Sequence, residues 1–334
     1  MDPISGFDAT TKIFHSIRGS VQLPPENAPL SATSYIFSRL PNPLPQNPAF
    51  IDATTSQTLS FPDLLSNVRN LSANLLSQIP ALRSSPHPPA AFVLSTPSLQ
   101  IPTLYLSLLS IGVAVSPSNP ASTPAEIGRQ ISLSRPSVIF ATSSTASKLP
   151  ASFPHPIILL DSPKFRSMIA TPPPSRPPAA AVMQSDPAAI LYSSGTTGKF
   201  KGVVLTHRNL IAVTASSAAG RRWEEEPVSM LLTVPLFHVF GFYMCLAEVA
   251  AGETGVLLES FEFGAMLRAV VKYRVNYMPV SPPLVVALAK SEEVVKHDLS
   301  SLKALGCGGA PLGKDVAEKF KERFPDVDIA QVRR

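Results

Sequence analysis

Leu191-Tyr192-Ser193-Ser194-Gly195-Thr196-Thr197-Gly198-Lys199-Phe200-Lys201-Gly202 sets a polar, glycine-rich turn between two apolar runs, Ala189 to Tyr192 and Val203 to Leu205. That pattern predicts a strand, a loop and a second extended run. Gly195, Gly198 and Gly202 admit backbone conformations closed to other residues and let amide N–H groups approach an anion. Ser193, Ser194, Thr196 and Thr197 offer hydroxyl donors, and Lys199 and Lys201 bring positive charge, so every residue type suits a polyphosphate. An ordinary surface turn, in which Gly, Ser and Thr are common, stays open on composition alone. A P-loop does not fit. Ser193 stands where its first glycine is needed, and Phe200 stands where Ser or Thr should follow Gly-Lys.

Outward from this loop, short apolar runs alternate with helical patterns. Before it, Phe61 to Ile79 repeats leucine and valine at helical spacing. Ala91 to Leu94 follows as a strand and Leu99 to Ile111 as a buried helix. Thr123 is placed to cap a helix beginning at Pro124, with Glu126 in its first turn, and strands are expected at Ser137 to Ala141 and Ile157 to Leu160. Pro172, Pro173, Pro174, Pro177 and Pro178 form a surface connection. After the loop come helix Arg208 to Ala219, strand Met230 to Val234, helix Val239 to Ala250, strand Gly255 to Leu258 and helix Phe263 to Tyr273. Asn276 to Val280, Pro283 to Lys290, strand Leu302 to Leu305 and helix Gly313 to Phe324 complete the series. This alternation predicts an α/β fold of layered sheets with flanking helices.

Composition limits the function. With 334 residues and 45% hydrophobic content, and a mean hydropathy of +0.18, the chain can bury a sizeable core. Its 28 basic and 23 acidic residues give a net charge of +5. These charges are dispersed, and nucleic-acid binding is not indicated. Cys245 and Cys307 form no metal-ligand spacing and fit buried thiols in a reducing compartment. Met1 to Ser20 lacks the continuous apolar centre of a secretory signal. Leu231 to Val249 nears membrane-span length but contains Pro235, His238 and Glu248, and is read as strand, loop and helix.

Tyr-Ser-Ser-Gly-Thr-Thr-Gly at 192–198, followed by Lys-Gly-Val-Val-Leu-Thr-His at 201–207, resembles the signature of the adenylate-forming, AMP-binding enzymes. It is closest to 4-coumarate:CoA ligases and their 4-coumarate:CoA ligase-like relatives. Phe200 departs from the proline many members carry, while Lys201 is kept. Pro235-Leu236-Phe237-His238-Val239-Phe240-Gly241-Phe242 is similar to the family's second core motif, and Ser301 to Gly313 is similar to its strand and loop beside adenine and substrate. Read without the family, His238 is an ordinary core histidine and Gly308-Gly309 a tight turn.

The resemblance implies an AMP-forming carboxylic acid:CoA ligase using ATP, Mg2+ and CoA, of the kind found in phenylpropanoid metabolism, acting on 4-coumarate or a related phenylpropanoid or fatty acid. On it, Ser193, Ser194, Gly195, Thr196, Thr197, Gly198, Lys199 and Lys201 hold the phosphates, Lys201 and His238 serve catalysis, and Thr196 is a weak metal ligand. Gly308, Gly309, Ala310 and Pro311 form the adenine and substrate edge, and Val239, Phe240 and Met244 line the acyl pocket. It further implies an irregular leader over 1–50 packed on an incomplete AMP-binding domain over 51–334. The main magnesium glutamate and the small carboxy-terminal domain are missing, because Gln331 is followed only by Val332-Arg333-Arg334. Impaired turnover is the corresponding expectation. A non-catalytic nucleotide-binding or dominant-negative isoform is the alternative. Localisation is expected to be cytoplasmic, or peroxisomal if the natural terminus carries an address. Partners are the acid, ATP and CoA, with no nucleic acid or membrane span, and the sequence sets no oligomeric state.

Overall fold

Hydroxyl side chains fix four of the helix starts among the described residues, three of them together with proline. Ser31, Ser60, Thr123 and Ser162 each accept a bond from the backbone N–H three residues on, at 3.0, 3.2, 3.3 and 3.1 Å. Each such cap is worth about 1 kcal/mol, and proline occupies the first turn of three of the four helices they open. At Thr123 the cap is reciprocal, since the Glu126 carboxylate accepts the Thr123 N–H at 2.8 Å.

The computed structural model describes residues 5–16, 20–83, 88–173, 180–193, 201–219 and 228–331. Its elements begin with β1 (Phe7–Asp8), β2 (Ile13–Phe14), α1 (Ala32–Ser38), β3 (Phe50–Asp52), β4 (Thr58–Leu59) and α2 (Phe61–Gln78). Then come β5 (Ala90–Leu94), α3 (Gln100–Ser110), β6 (Ala114–Ser118), α4 (Pro124–Ser134), β7 (Val138–Ala141), β8 (Ile157–Leu159) and α5 (Pro163–Ala170). The pair β9 (Pro187–Ser193) and β10 (Lys201–Thr206) leads into α6 (His207–Ala219). The remainder alternates: β11 (Ser229–Leu232), α7 (Val239–Ala251), β12 (Thr254–Leu257), α8 (Phe263–Lys272), β13 (Tyr277–Val280), α9 (Pro282–Lys290), β14 (Ala304–Cys307), α10 (Lys314–Arg323) and β15 (Asp328–Gln331).

Among the described residues these strands form a two-stranded ribbon, a six-stranded sheet in the order β10-β9-β6-β5-β7-β8, and a seven-stranded sheet in the order β15-β14-β13-β11-β12-β3-β4. All neighbours in the larger sheet are parallel except β3 and β4. From β11 the chain steps one way to β12, then back across β11 to β13, β14 and β15. A right-handed crossover puts the helix on opposite faces for opposite steps. Accordingly α7 buries Phe242, Met244 and Leu246 in a core between the two sheets. By contrast α8, α9 and α10 bury Met266, Val285 and Phe320 on the far face. The smaller sheet repeats the rule: α3 lies in the shared core with Leu104 and Leu108, while α4 covers the other face with Ile127 and Ile131. Each such side chain contributes about 1.5–3 kcal/mol by leaving water.

The fold thus has the expected layered α/β class. Some details differ from the sequence expectation. The stretch 1–50, expected to be irregular, contains α1, which buries Ala32 and Ile36 in the shared core and ends where Phe50 opens β3. The strand expected from Leu302 begins at Ala304, because the Leu302 N–H is tied into a turn with the Leu299 carbonyl at 2.9 Å. The apolar window Leu231 to Val249 divides into β11, a loop and α7, and no helix among the described residues is long and apolar enough to cross a membrane.

Candidate functional site

In open α/β sheets a ligand crevice forms outside the carboxyl ends of the strands, where the direction of winding reverses. Both sheets have such a point, and the two face each other. Ser95, Thr96 and Pro97, just after β5, and Ser118, at the end of β6, line a small cleft with Leu236 and Phe237 from the loop after β11. The cleft holds about 240 Å³, including the solvent at its mouth. Thr233 in that loop donates to the carbonyl of Pro279, joining the ends of β11 and β13.

The strand before the glycine-rich loop ends at the same edge. β9 runs parallel to β6 with Val115 opposite Ala189, and β10 returns antiparallel with Lys201 opposite Ser193. Ser193 and Lys201, both exposed, therefore bracket the loop. Ser194, Gly195, Thr196, Thr197, Gly198 and Lys199 lie outside the described residues. A buried polar network anchors the base of this loop. Tyr192 Oη donates to the carbonyl of Gln130 at 2.9 Å and pairs with Ser116 Oγ at 2.6 Å, while Ser118 Oγ donates to Gln130 Oε1 at 2.6 Å. Burial raises the phenol of Tyr192 above its ordinary value, so it serves as a neutral donor.

The far end of the same strand pair is tied to the amino-terminal region. His207, fully buried at the start of α6, accepts the Ala32 N–H on Nδ1 at 3.0 Å. That bond requires the tautomer carrying its proton on Nε2, and Nε2 has no partner among the described residues. Burial pushes the imidazole down to about 4, against the pull of Asp186. Arg208 Nη1 donates to the carbonyl of Pro24 at 2.6 Å and to Gln184 Oε1 at 2.7 Å.

On the larger sheet, His238 caps α7 and its Nδ1 accepts the Phe240 N–H at 3.4 Å; its ring is otherwise exposed. Gly241 follows because the loop doubles back on the helix. A Cβ there would sit 2.2 Å from the carbonyl oxygen of Pro235. Val239 is 47% exposed and points away from the core, whereas Met244 is buried between the sheets. Phe240 lies between these extremes, with its ring edge 3.3 Å from the place a Cβ on Gly308 would occupy. The structure thus brings Phe240 onto the Gly308 edge and leaves Val239 outside that contact. Gly309, with φ +88°, Ala310 and Pro311 are exposed past the end of β14, on the side where Gln331 closes β15.

Sequence reading places Tyr277 in a stretch, Val275 to Lys290, similar to the family's helix beside the acyl site, and gives it no role of its own. Its hydroxyl occupies the space beside Gly306, 2.1 Å from where a Cβ would be. A signal for it exists, since Gly306 near the end of β14 and Gly308 just past it are two apart in extended chain and leave the same face bare. The Tyr192 network and the His207 anchor leave no local pattern, because their partners are remote in sequence. Among the described residues no three His, Cys, Asp or Glu side chains come together as a metal site. Thr196, the expected weak metal ligand, lies outside the described residues.

Comparison with known proteins agrees with this arrangement. The model of the AMP-binding enzyme family matches residues 37–332. The chain is 49% identical to 4-coumarate--CoA ligase-like 9 of Arabidopsis thaliana, over 99% of this chain and 61% of that protein. It is 45% identical to 4-coumarate--CoA ligase-like 5 of Oryza sativa subsp. japonica, over 99% of this chain and 62% of that protein. The chain therefore spans about three-fifths of the length of these relatives. The inhibitor-bound N-terminal domain of FACL13 from Mycobacterium tuberculosis superposes with a TM-score of 0.79 at 19% identity, over 91% of this chain and 75% of that one, which shows the fold. Since the family model spans the bracketed loop, the α7 start and the glycine edge past β14, the chain belongs to the AMP-binding enzyme family.

Proposed function

We propose that this chain supplies the ATP and acid sites of an ATP-dependent, carboxylic acid-activating ligase. One observation supports this reading above the others: Ser193 and Lys201, which bracket the phosphate-type loop, lie at the carboxyl end of β9, and the Phe240–Gly308 contact lies just past the carboxyl end of β14, one on each sheet. A carboxylate is a poor electrophile. In the proposed reaction its oxygen attacks the α-phosphorus of ATP, the bond from that phosphorus to the bridging oxygen breaks, and pyrophosphate leaves. The thiolate of CoA then attacks the acyl carbon and AMP departs. Ser193, Lys201 and the loop between them receive the charge that gathers on the leaving phosphates. His238 orients the acid, and Gly309 to Pro311 border the nucleotide. Phe240 and Met244 give the acyl side an apolar wall suited to an aromatic or fatty acid, such as 4-coumarate.

Calorimetric titration of the chain with MgATP tests the reading. Lys201→Ala combined with Thr196→Ala removes donors to a charged ligand, each worth about 1.5–3 kcal/mol, so ATP affinity is expected to fall by at least about tenfold. An affinity that does not respond to the double substitution rejects the phosphate assignment. Acid-dependent exchange of labelled pyrophosphate into ATP reports the first chemical step.

A further inference from the structure

On β14 the side chains alternate strictly. Leu305 and Cys307 point into the far core, which turns Ala304 and Gly306, and Gly308 just past the strand's end, toward the space between the sheets. That face is a lane with almost no side chains. Two aromatic rings from other elements cover it: Phe240 lies against Gly308 at the carboxyl end, and Tyr277 of β13 lies against Gly306. Tyr277 also packs on the core between the sheets. Two residues along a strand span about 6.6 Å, so the Tyr277 contact lies one pleat deeper than the Phe240 contact, counted from the edge where Gly309 to Pro311 are exposed.

We propose that Tyr277 is a specificity-determining residue: its hydroxyl end, set in the space that Gly306 leaves open, closes the lane beneath Phe240 and limits how long an acyl group the enzyme accepts. The inference rests on the ligase reading above. Gly306 is the other half of the device, because any larger residue there would collide with Tyr277 and drive its ring outward along the lane.

Calorimetry with MgATP present and straight-chain acids from hexanoate to tetradecanoate, alongside 4-coumarate, tests it on the whole chain. In the wild type the gain in affinity with length stops once the acid reaches Tyr277. In Tyr277→Ala it continues for at least two further methylenes, at about fourfold each. Tyr277→Leu serves the same purpose should the alanine variant fail to fold. Gly306→Ala weakens all the acids, and the double variant Tyr277→Ala/Gly306→Ala recovers binding because the collision is gone. A length profile identical in the wild type and the Tyr277 variants overturns the inference while leaving the ligase reading intact. A wild-type chain that binds MgATP but none of the acids overturns the acid-activating reading and the inference with it.

Discussion

The two sides of the cleft are held in place by different physics. On the six-stranded sheet the base of the phosphate-type loop is fixed by directional bonds between buried polar groups: Tyr192 with Ser116 and Gln130, and Ser118 with Gln130. On the seven-stranded sheet the edge formed by the α7 start and β14 is fixed by shape, with glycines at 241, 306 and 308 each meeting a neighbour too closely to tolerate a side chain without a shift. Hydrogen bonds give a loop one register and orientation. Steric contacts set a volume. On the proposed function, an anion of constant geometry suits the first and an acid of variable length the second.

This contrast can be broken most severely on the steric side. Gly241→Ala would place a methyl carbon 2.2 Å from the backbone oxygen of Pro235, and backbone cannot yield as a side-chain tip can. A loss of about 3 kcal/mol is expected, seen as a lower denaturant midpoint. A midpoint within a few tenths of a kcal/mol of the wild type would show that the start of α7 adapts.

Acid provides the next largest effect, on the hydrogen-bonded side. The folded chain protonates His207 only near pH 4, against 6.5 for the free side chain, so between these values the unfolded chain binds more protons. Stability is therefore complete above about pH 6.5 and is lost as the pH falls toward 4, by at most about 3 kcal/mol. Urea titrations at intervals between pH 7 and pH 4 measure this slope, and His207→Gln is expected to flatten it. An equal slope in the variant would assign the acid sensitivity to other groups.

Tyr192→Phe sharpens the comparison further. It keeps the ring, removes the bond to Gln130 and leaves the buried Ser116 hydroxyl without its phenol partner, at a cost of about 1–2 kcal/mol. The smallest effect belongs to Thr123→Ala. It removes the cap of α4, the helix that carries Gln130, and should cost about 1 kcal/mol by thermal or urea unfolding. If both variants matched the wild type, the polar side would be held by packing as well, and the distinction between the two halves would disappear.

The elements most easily read from sequence are those whose residues see one environment. α2 and α8 repeat apolar residues at helical spacing because one face of each is buried, and the strict alternation after residue 229 follows from apolar runs separated by capping residues. β6 escapes such a reading. Ser116, Pro117 and Ser118 break its apolar pattern, yet the strand is wholly buried, because Tyr192 and Gln130 satisfy its serines from 76 and 12 residues away. α1 is only seven residues long, too short for a period to show, and it is fixed by His207 from 175 positions on. β15 has only half-exposed and exposed positions and gains its place by pairing with β14.

Sequence by itself determined the α/β class, the glycine- and hydroxyl-rich loop, and the family, because residue type and spacing along the chain encode all three. Tertiary structure alone decided that the ends of β5 and β6 share a cleft with Leu236 and Phe237 before α7, that Phe240 rather than Val239 meets the glycine edge, and that Tyr277 fills the gap at Gly306. The reason is physical. Which strand neighbours which, and which face a crossover helix takes, depend on the handedness and order of the whole sheet, which no local stretch of residues contains.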